Sequence, residues 1–221
     1  MDILAGTTNR NKVLTVQRYL QEYGVKVVTP QDLQLHVRID ENGATPIENA
    51  KIKALAYYRA AHIPTVAFDS GLYFLDLEDD DPLQPKTHVR RVAGSVLSDE
   101  EMIAYYSKLA SRYNGRLFSA YRNGYCVVYD EAHIYTYMDD KETARSFAFY
   151  LCDCPHTLRT PGWPLDSISI DAKTMKYFHD MEEAEYACPQ EDQERARCYE
   201  DIRTFYVNAF HLPPDIRQHL K

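Results

Sequence analysis

Apolar positions along the chain follow two periods. Ile3-Leu4-Ala5 is a short apolar run that stops at Gly6-Thr7-Thr8-Asn9, after which Val13, Val16, Leu20 and Tyr23 recur at helical spacing up to Gly24. Residues 25–28 read as a second strand, so the chain opens β-α-β, an order that favours a sheet covered by helices. Thr45-Pro46-Ile47-Glu48 has the form of a capping box with proline at the first helical position, and it predicts a helix to about His62. Thr65-Val66-Ala67-Phe68 predicts a buried strand ending in Asp69-Ser70-Gly71. Leu77 to Pro85 reads as an acidic surface loop, and Ser98 to Glu101 as a second capping box opening a helix to about Tyr113. The stretch from Arg116 to Leu151, rich in Tyr, Val, Ile and Phe, predicts several antiparallel strands with turns at Asn123-Gly124 and Asp139-Asp140. A loop spans Thr157 to Ser167, and a last helix covers roughly Asp192 to Phe210 before Pro213-Pro214. The pattern predicts an α/β fold with mixed strands, as one domain over residues 1–221.

Composition narrows the function. A hydrophobic share of 45% with charges of both signs throughout fits a folded globular chain. The formal net charge of -8 argues against a protein that binds a nucleic-acid polymer by neutralising phosphates. It leaves room for one nucleotide, which a metal and a few placed cations can hold. The five cysteines are odd in number, and Cys152-Asp153-Cys154 is too tightly spaced for a zinc knuckle, so they are expected to be reduced thiols. The first residues, MDILAGTTNRNK, lack the apolar core of a signal peptide, and no run is long enough for a membrane helix. The expectation is a cytoplasmic protein without a membrane partner.

Four places carry residues suited to chemistry. Thr7-Thr8-Asn9-Arg10-Asn11-Lys12 lies between a strand and a helix, where backbone N–H groups and the helix dipole suit phosphate. Lacking the glycines of a P-loop, it reads on its own rather as a helix cap with a surface lysine. Asp69, leaving a buried strand, is placed either to hold a metal or to cap the turn at Gly71. Asp40-Glu41-Asn42-Gly43 offers a carboxylate that could join Asp69 around Mg²⁺, or a solvated turn. Gly162-Trp163-Pro164-Leu165-Asp166 offers a ring to stack on a base with an acid beside it, or a hydrophobic plug.

In this order the four places resemble the inosine triphosphate pyrophosphatase family. Thr7 to Lys12 is similar to the family's T-G-N-x-x-K, with Thr8 where glycine is usual. Glu41 to Ala54 closely matches E-x-G-x-T-F-x-E-N-A-x-x-K-A, and Phe68 to Leu72 resembles D-D-S-G-L. Pro85 to Arg91 resembles P-G-x-x-S-A-R, Trp163 to Ser167 the loop F-G-x-D-P, and Ala184-Glu185 an A-E pair, while Arg197 falls on the arginine of S-H-R. The resemblance implies two lobes around a long mixed sheet with flanking helices and a central cleft, usually as a homodimer. It implies Mg²⁺-dependent hydrolysis of a nucleoside triphosphate, a small-molecule substrate, to the monophosphate and pyrophosphate. Carried over, Asp69 and Lys12 are catalytic and Glu41 and Asp69 hold the metal. Thr7, Thr8, Asn9, Lys12, Ser70, Gly71, Arg91, Trp163, Asp166 and Arg197 meet the substrate.

The departures are specific. Phe68 replaces the first acid of D-D, Glu191 stands on a family lysine, and Arg195 and Ala196 stand on the serine and histidine of S-H-R. Pro164 and Ser167 replace the glycine and proline of the base loop. They gather in the base-recognising half, so the sequence predicts retained hydrolysis of non-standard purine nucleoside triphosphates with a base preference shifted or relaxed; a pyrophosphatase acting on standard or modified nucleotides is the alternative. A catalytically weak nucleotide sensor is the alternative from another class, motivated by Phe68.

Overall fold

A computed structural model describes residues 1–213 apart from 93, 183, 184 and 186–188, and gives no side-chain surroundings for 189–192 and 195. Ala184, the Glu191 and Arg195 side chains and the stop at Pro214 therefore lie outside the described residues. In chain order the elements are β1 (Asp2–Ala5), α1 (Arg10–Leu20), β2 (Lys26–Val28), α2 (Pro46–Ala61), β3 (Thr65–Phe74), β4 (Arg91–Val92) and β5 (Ser95–Val96). They continue as α3 (Asp99–Ser111), β6 (Arg116–Val128), β7 (Ile134–Met138), α4 (Lys141–Arg145), β8 (Phe149–Cys152), β9 (Ser169–Asp171) and α5 (Pro189–Ala209). The sheet is mixed, as predicted for an α/β chain.

The described residues divide into two compact units. The first holds Met1–Ser70, Asn123–Asp139 and the chain from Arg195 on. Its strands lie in the order β2-β1-β3-β6, with β1 parallel to both β2 and β3, and β7 antiparallel to β6. Both faces are covered, because successive side chains of a strand point opposite ways. Ile3 and Ala5 of β1 and Tyr125 and Val127 of β6 pack with Val16 and Leu20 of α1 and Tyr206 and Phe210 near the end of α5. Their neighbours Leu4, Cys126 and Val128 face the other way, onto clusters that include Ala50, Ala54 and Tyr57 of α2. This double burial explains the near-continuous apolar runs of these strands.

The second unit holds Gly71–Arg122 and Asp140–Glu194. The first part of β6 pairs with β8, and β8 with β9, all antiparallel. Met102, Ile103 and Tyr106 of α3 pack against Phe74, Leu117, Leu151 and Ile168. Buried Gln84 serves Phe74 as a substitute strand, accepting from its N–H at 2.8 Å and donating to its carbonyl at 2.9 Å. The cap of α3 is the predicted reciprocal box between Ser98 and Glu101. At α2 the Glu48 carboxylate instead reaches the Ala44 N–H at 2.7 Å, while Thr45 accepts from the Glu48 N–H.

Three expectations are corrected. The strand from Thr65 does not end at Asp69: it continues to Phe74, because Leu72, Tyr73 and Phe74 are buried and extend the ladder. Asn123-Gly124 is not a turn but lies inside β6, and the chain reverses at Asp130, whose carboxylate accepts from the N–H groups of Ala132 and His133. A Cβ on Gly124 would sit 2.3 Å from Ile47 N, so the glycine is there for close approach to the start of α2. At Asp139-Asp140 the second residue caps α4, a short helix the pattern did not show. Among the described residues Cys126, Cys152, Cys154 and Cys198 are free thiols, and no helix is long and apolar enough to cross a membrane.

Candidate active site

β1 delivers the chain through Gly6 into the Thr7–Lys12 turn. Asn9 caps α1 with its Oδ1, which accepts from Asn11 N at 2.9 Å and Lys12 N at 3.3 Å. The cap thus occupies two of the N–H groups that the helix start offers. Lys12 is not a surface lysine. Its Nζ donates to the Phe68 carbonyl at 3.0 Å and to Asp69 Oδ1 at 3.4 Å, and lies 4.8 Å from the centre of the Phe68 ring.

α2 supplies the opposite side through Asn49 and Lys53, one turn apart on its buried stripe. Asn49 Nδ2 donates to Asp69 Oδ2 at 3.0 Å, and Lys53 Nζ donates to Asp69 Oδ1 at 2.8 Å and Glu41 Oε2 at 3.0 Å. Asn49 Oδ1 accepts from the Gly43 N–H at 2.8 Å, which ties the Glu41–Gly43 turn to the helix. These groups meet in a cavity of about 410 Å³ that Thr7, Thr8, Asn9, Lys12, Glu41, Lys53 and Asp69 help to line.

The electrostatics are set by two ammoniums and two carboxylates. Burial pushes the Asp69 carboxyl up. The Lys53 hydrogen bond and charge, the Lys12 charge and the Asn49 amide outweigh it and hold the group below its ordinary value. Burial, then the neighbouring Lys53 charge, draws the Lys12 ammonium down. Glu41 and Asp69 converge on one ammonium at 3.0 and 2.8 Å, so two carboxylates face the same cavity. Two hard carboxylates beside a cavity open to water and phosphate oxygens suit Mg²⁺, which takes few protein ligands. No group of three or more His, Cys, Asp or Glu side chains able to hold a metal occurs among the described residues.

The other expected site residues lie elsewhere. Ser70 donates to Asn123 Oδ1 at 2.7 Å, and Asn123 is bound in turn by Asp139. Arg197 is on an exposed position of α5. Gly71, Arg91, Trp163 and Asp166 belong to the second unit. There Arg91 is exposed on β4, Trp163 is 67% exposed, and burial pushes the half-buried Asp166 carboxyl up. Asn49 and Lys53 were not singled out from sequence. Their signal is positional: a polar pair four residues apart among Pro46, Ala50, Ala54 and Tyr57 on a buried helix face must have a partner.

A parallel β-α-β unit with a polar turn after its first strand and an acid on β3, the other parallel neighbour of β1, places the protein in the α/β class. The Ham1 family model matches residues 3–143, and the chain belongs to the Ham1 family. Solved Ham1 proteins of Staphylococcus aureus and Coxiella burnetii share the fold, each with a TM-score of 0.63 over 94% of this chain and 99% of theirs, at 18% and 20% identity. A protein of Leptospira interrogans described as a dITP/XTP pyrophosphatase is 35% identical over 116 residues, which is 52% of this chain and 57% of its own length. One of Aquifex aeolicus with the same description is 42% identical over 72 residues, 33% of this chain and 34% of its own. The chain thus matches about half or less of the length of these curated relatives.

Proposed function

We propose that this chain is a nucleoside triphosphate pyrophosphatase that hydrolyses non-standard purine nucleoside triphosphates to the monophosphate and pyrophosphate with Mg²⁺. The observation that carries the reading is Asp69, held between Lys12 and Lys53 in the cavity beside the Thr7–Lys12 turn. The relatives described as dITP/XTP pyrophosphatases point the same way.

Lys12 and the Thr7, Thr8 and Asn9 side chains bind the phosphates. Lys53 neutralises charge beside them. Glu41 and Asp69 hold the Mg²⁺, which supplies Lewis-acid neutralisation of the triphosphate when bound. Water oxygen attacks the α-phosphorus, the α–β anhydride bond breaks, pyrophosphate leaves, and the water proton passes to solvent. Asp69 orients that water. Despite its burial, Lys53, Lys12 and Asn49 hold the Asp69 carboxyl below its ordinary value, so it is ionised near neutral pH and suited to ligation and to orienting the water. Trp163 stacks on the base, with Asp166 at its edge, and Ser70, Gly71, Arg91 and Arg197 complete the substrate contacts. The two units form one catalytic domain, and the protein works as a cytoplasmic homodimer.

A second reading, hydrolysis with a shifted base preference, is favoured by Glu191 and Ala196 at the positions of the family's lysine and histidine. One experiment addresses both: pyrophosphate release from ITP, XTP, dITP and the standard ribo- and deoxynucleotides, with Mg²⁺ and with EDTA, for wild type and Asp69→Asn. The expected result is metal-dependent release that Asp69→Asn abolishes. Preference for a standard nucleotide selects the second reading. Nucleotide binding without release from any substrate overturns both and leaves a nucleotide sensor.

A further inference from the structure

The residues that carry Trp163 point to a device that the reaction above does not use. Trp163 is the chain's only tryptophan and is 67% exposed, yet the backbone on both sides of it is pinned. On the C-terminal side Pro164 and Leu165 are buried, and Leu165 packs in one cluster with Met102 and Ile103 of α3. On the N-terminal side Gly162 adopts φ 83°, a backbone state that a side chain would strain, and donates its N–H to Asp99 Oδ2 at 2.9 Å. The other oxygen of the same carboxylate accepts from Arg90 Nη2 at 2.7 Å, and Arg90 Nη1 donates to the Leu97 carbonyl at 3.0 Å. A second tie lies beside it, where Arg159 Nε donates to Glu100 Oε1 at 2.8 Å.

The first turn of α3 carries three acids, and they divide their work. Glu101 closes the cap with Ser98, whereas Asp99 and Glu100 reach out to the Trp163 loop. Capping alone does not need Asp99. Its two oxygens instead join the hairpin that bears Arg90 and Arg91 to the glycine immediately before Trp163. The Gly162 N–H, then the Arg90 guanidinium, hold the carboxyl below its ordinary value, so the tie is ionic at neutral pH.

We propose that Asp99 is a positioning residue for the base of the nucleotide: its carboxylate latches Gly162 to Arg90 and so sets Trp163 in place before the substrate arrives. This rests on the reading of the protein as a nucleoside triphosphate pyrophosphatase. An exposed ring on a preset backbone loses little freedom when a base stacks on it, so the latch acts on binding rather than on the chemical step.

Trp163 makes the test direct, since all tryptophan emission comes from this loop. Fluorescence anisotropy and acrylamide quenching are measured without nucleotide in wild type, Asp99→Ala, Asp99→Asn and Arg90→Met, each checked for a cooperative melt. In Asp99→Ala the anisotropy falls and quenching rises. Asp99→Asn, which keeps an acceptor for Gly162, lies between it and wild type, and so does Arg90→Met. For hydrolysis, Asp99→Ala raises KM for the preferred triphosphate by roughly three- to tenfold with kcat within about twofold, and leaves inhibition by inorganic pyrophosphate unchanged. Unchanged Trp163 anisotropy in folded Asp99→Ala overturns the latch, as does a loss confined to kcat. Should Asp99→Ala not fold, Arg90→Met decides by the same two readouts. A wild type that hydrolyses no nucleotide defeats the functional reading alone, because the anisotropy still judges the latch.

Discussion

Replacing Gly124 by alanine tests the link between the fold and the site. An added Cβ would meet Ile47 N at 2.3 Å, the Pro46 carbonyl carbon at 2.5 Å and Ile47 Cα at 2.8 Å. All three are backbone atoms, so no rotamer can give way. To reach ordinary contact, β6 and the first turn of α2 must part by about 1 Å in an interior packed to crystal density. Overpacking of this kind costs about 1–3 kcal/mol, and for a chain of this size each kcal/mol lowers Tm by roughly 2–4 °C. The same shift moves the start of the helix that carries Asn49 and Lys53 to Asp69, and a misplacement near 1 Å can cost about a hundredfold in rate. Thermal unfolding and pyrophosphate release on Gly124→Ala therefore move together, with Tm lowered by several degrees and activity by ten- to a hundredfold, roughly. A variant that melts within about one degree of wild type and keeps full activity refutes both the close approach and the dependence of the site on it.

Two further outcomes follow from the charges. Lys53→Met leaves Asp69 and the partly exposed Glu41 without their shared ammonium, and should destabilise the protein by about 3 kcal/mol in urea unfolding. Millimolar Mg²⁺ should restore part of that loss, since a cation bound only by the folded state stabilises it, and no recovery would count against the shared carboxylate site. The depressed Asp69 carboxyl contributes stability that is complete above its unfolded value near 3.9 and drains away as pH falls through the lower folded value. Tm measured from pH 6 down to 2 should thus fall less steeply in Asp69→Asn than in wild type, and parallel curves would contradict the assigned shift.

Where one local signal decides structure, the sequence was readable. The β-α-β opening, α2 with its proline start, and the Ser98–Glu101 cap appear where periodicity and cap residues place them. Errors arose where a local signal was overridden by a distant neighbour. Asn123-Gly124 has the chemistry of a turn, yet the glycine answers to α2 across the sheet. Asp69-Ser70-Gly71 looks like a strand end, but the burial of Leu72, Tyr73 and Phe74 carries the strand onward. At the site, Lys12, Glu41 and Asp69 are legible together in the sequence, and one cavity holds all three. Asn49 and Lys53 escaped because a buried polar residue declares its role only when its partner is known. Asp99 lies in a first helical turn, where an acid is expected for the dipole alone.

The path of the chain through the two units bears on how the protein is made. β3, β6 and α5 each begin in one unit and end in the other, so neither unit is a continuous stretch of sequence. The residues lining the cavity beside the Thr7–Lys12 turn are all synthesised by Asp69, but the core under the same unit waits for Ile202, Tyr206 and Phe210. On the ribosome the opening strands and α1 therefore emerge well before Ile202, Tyr206 and Phe210, which complete the core they share. Completing that core needs contacts between residues far apart in sequence, a kind of closure that slows folding.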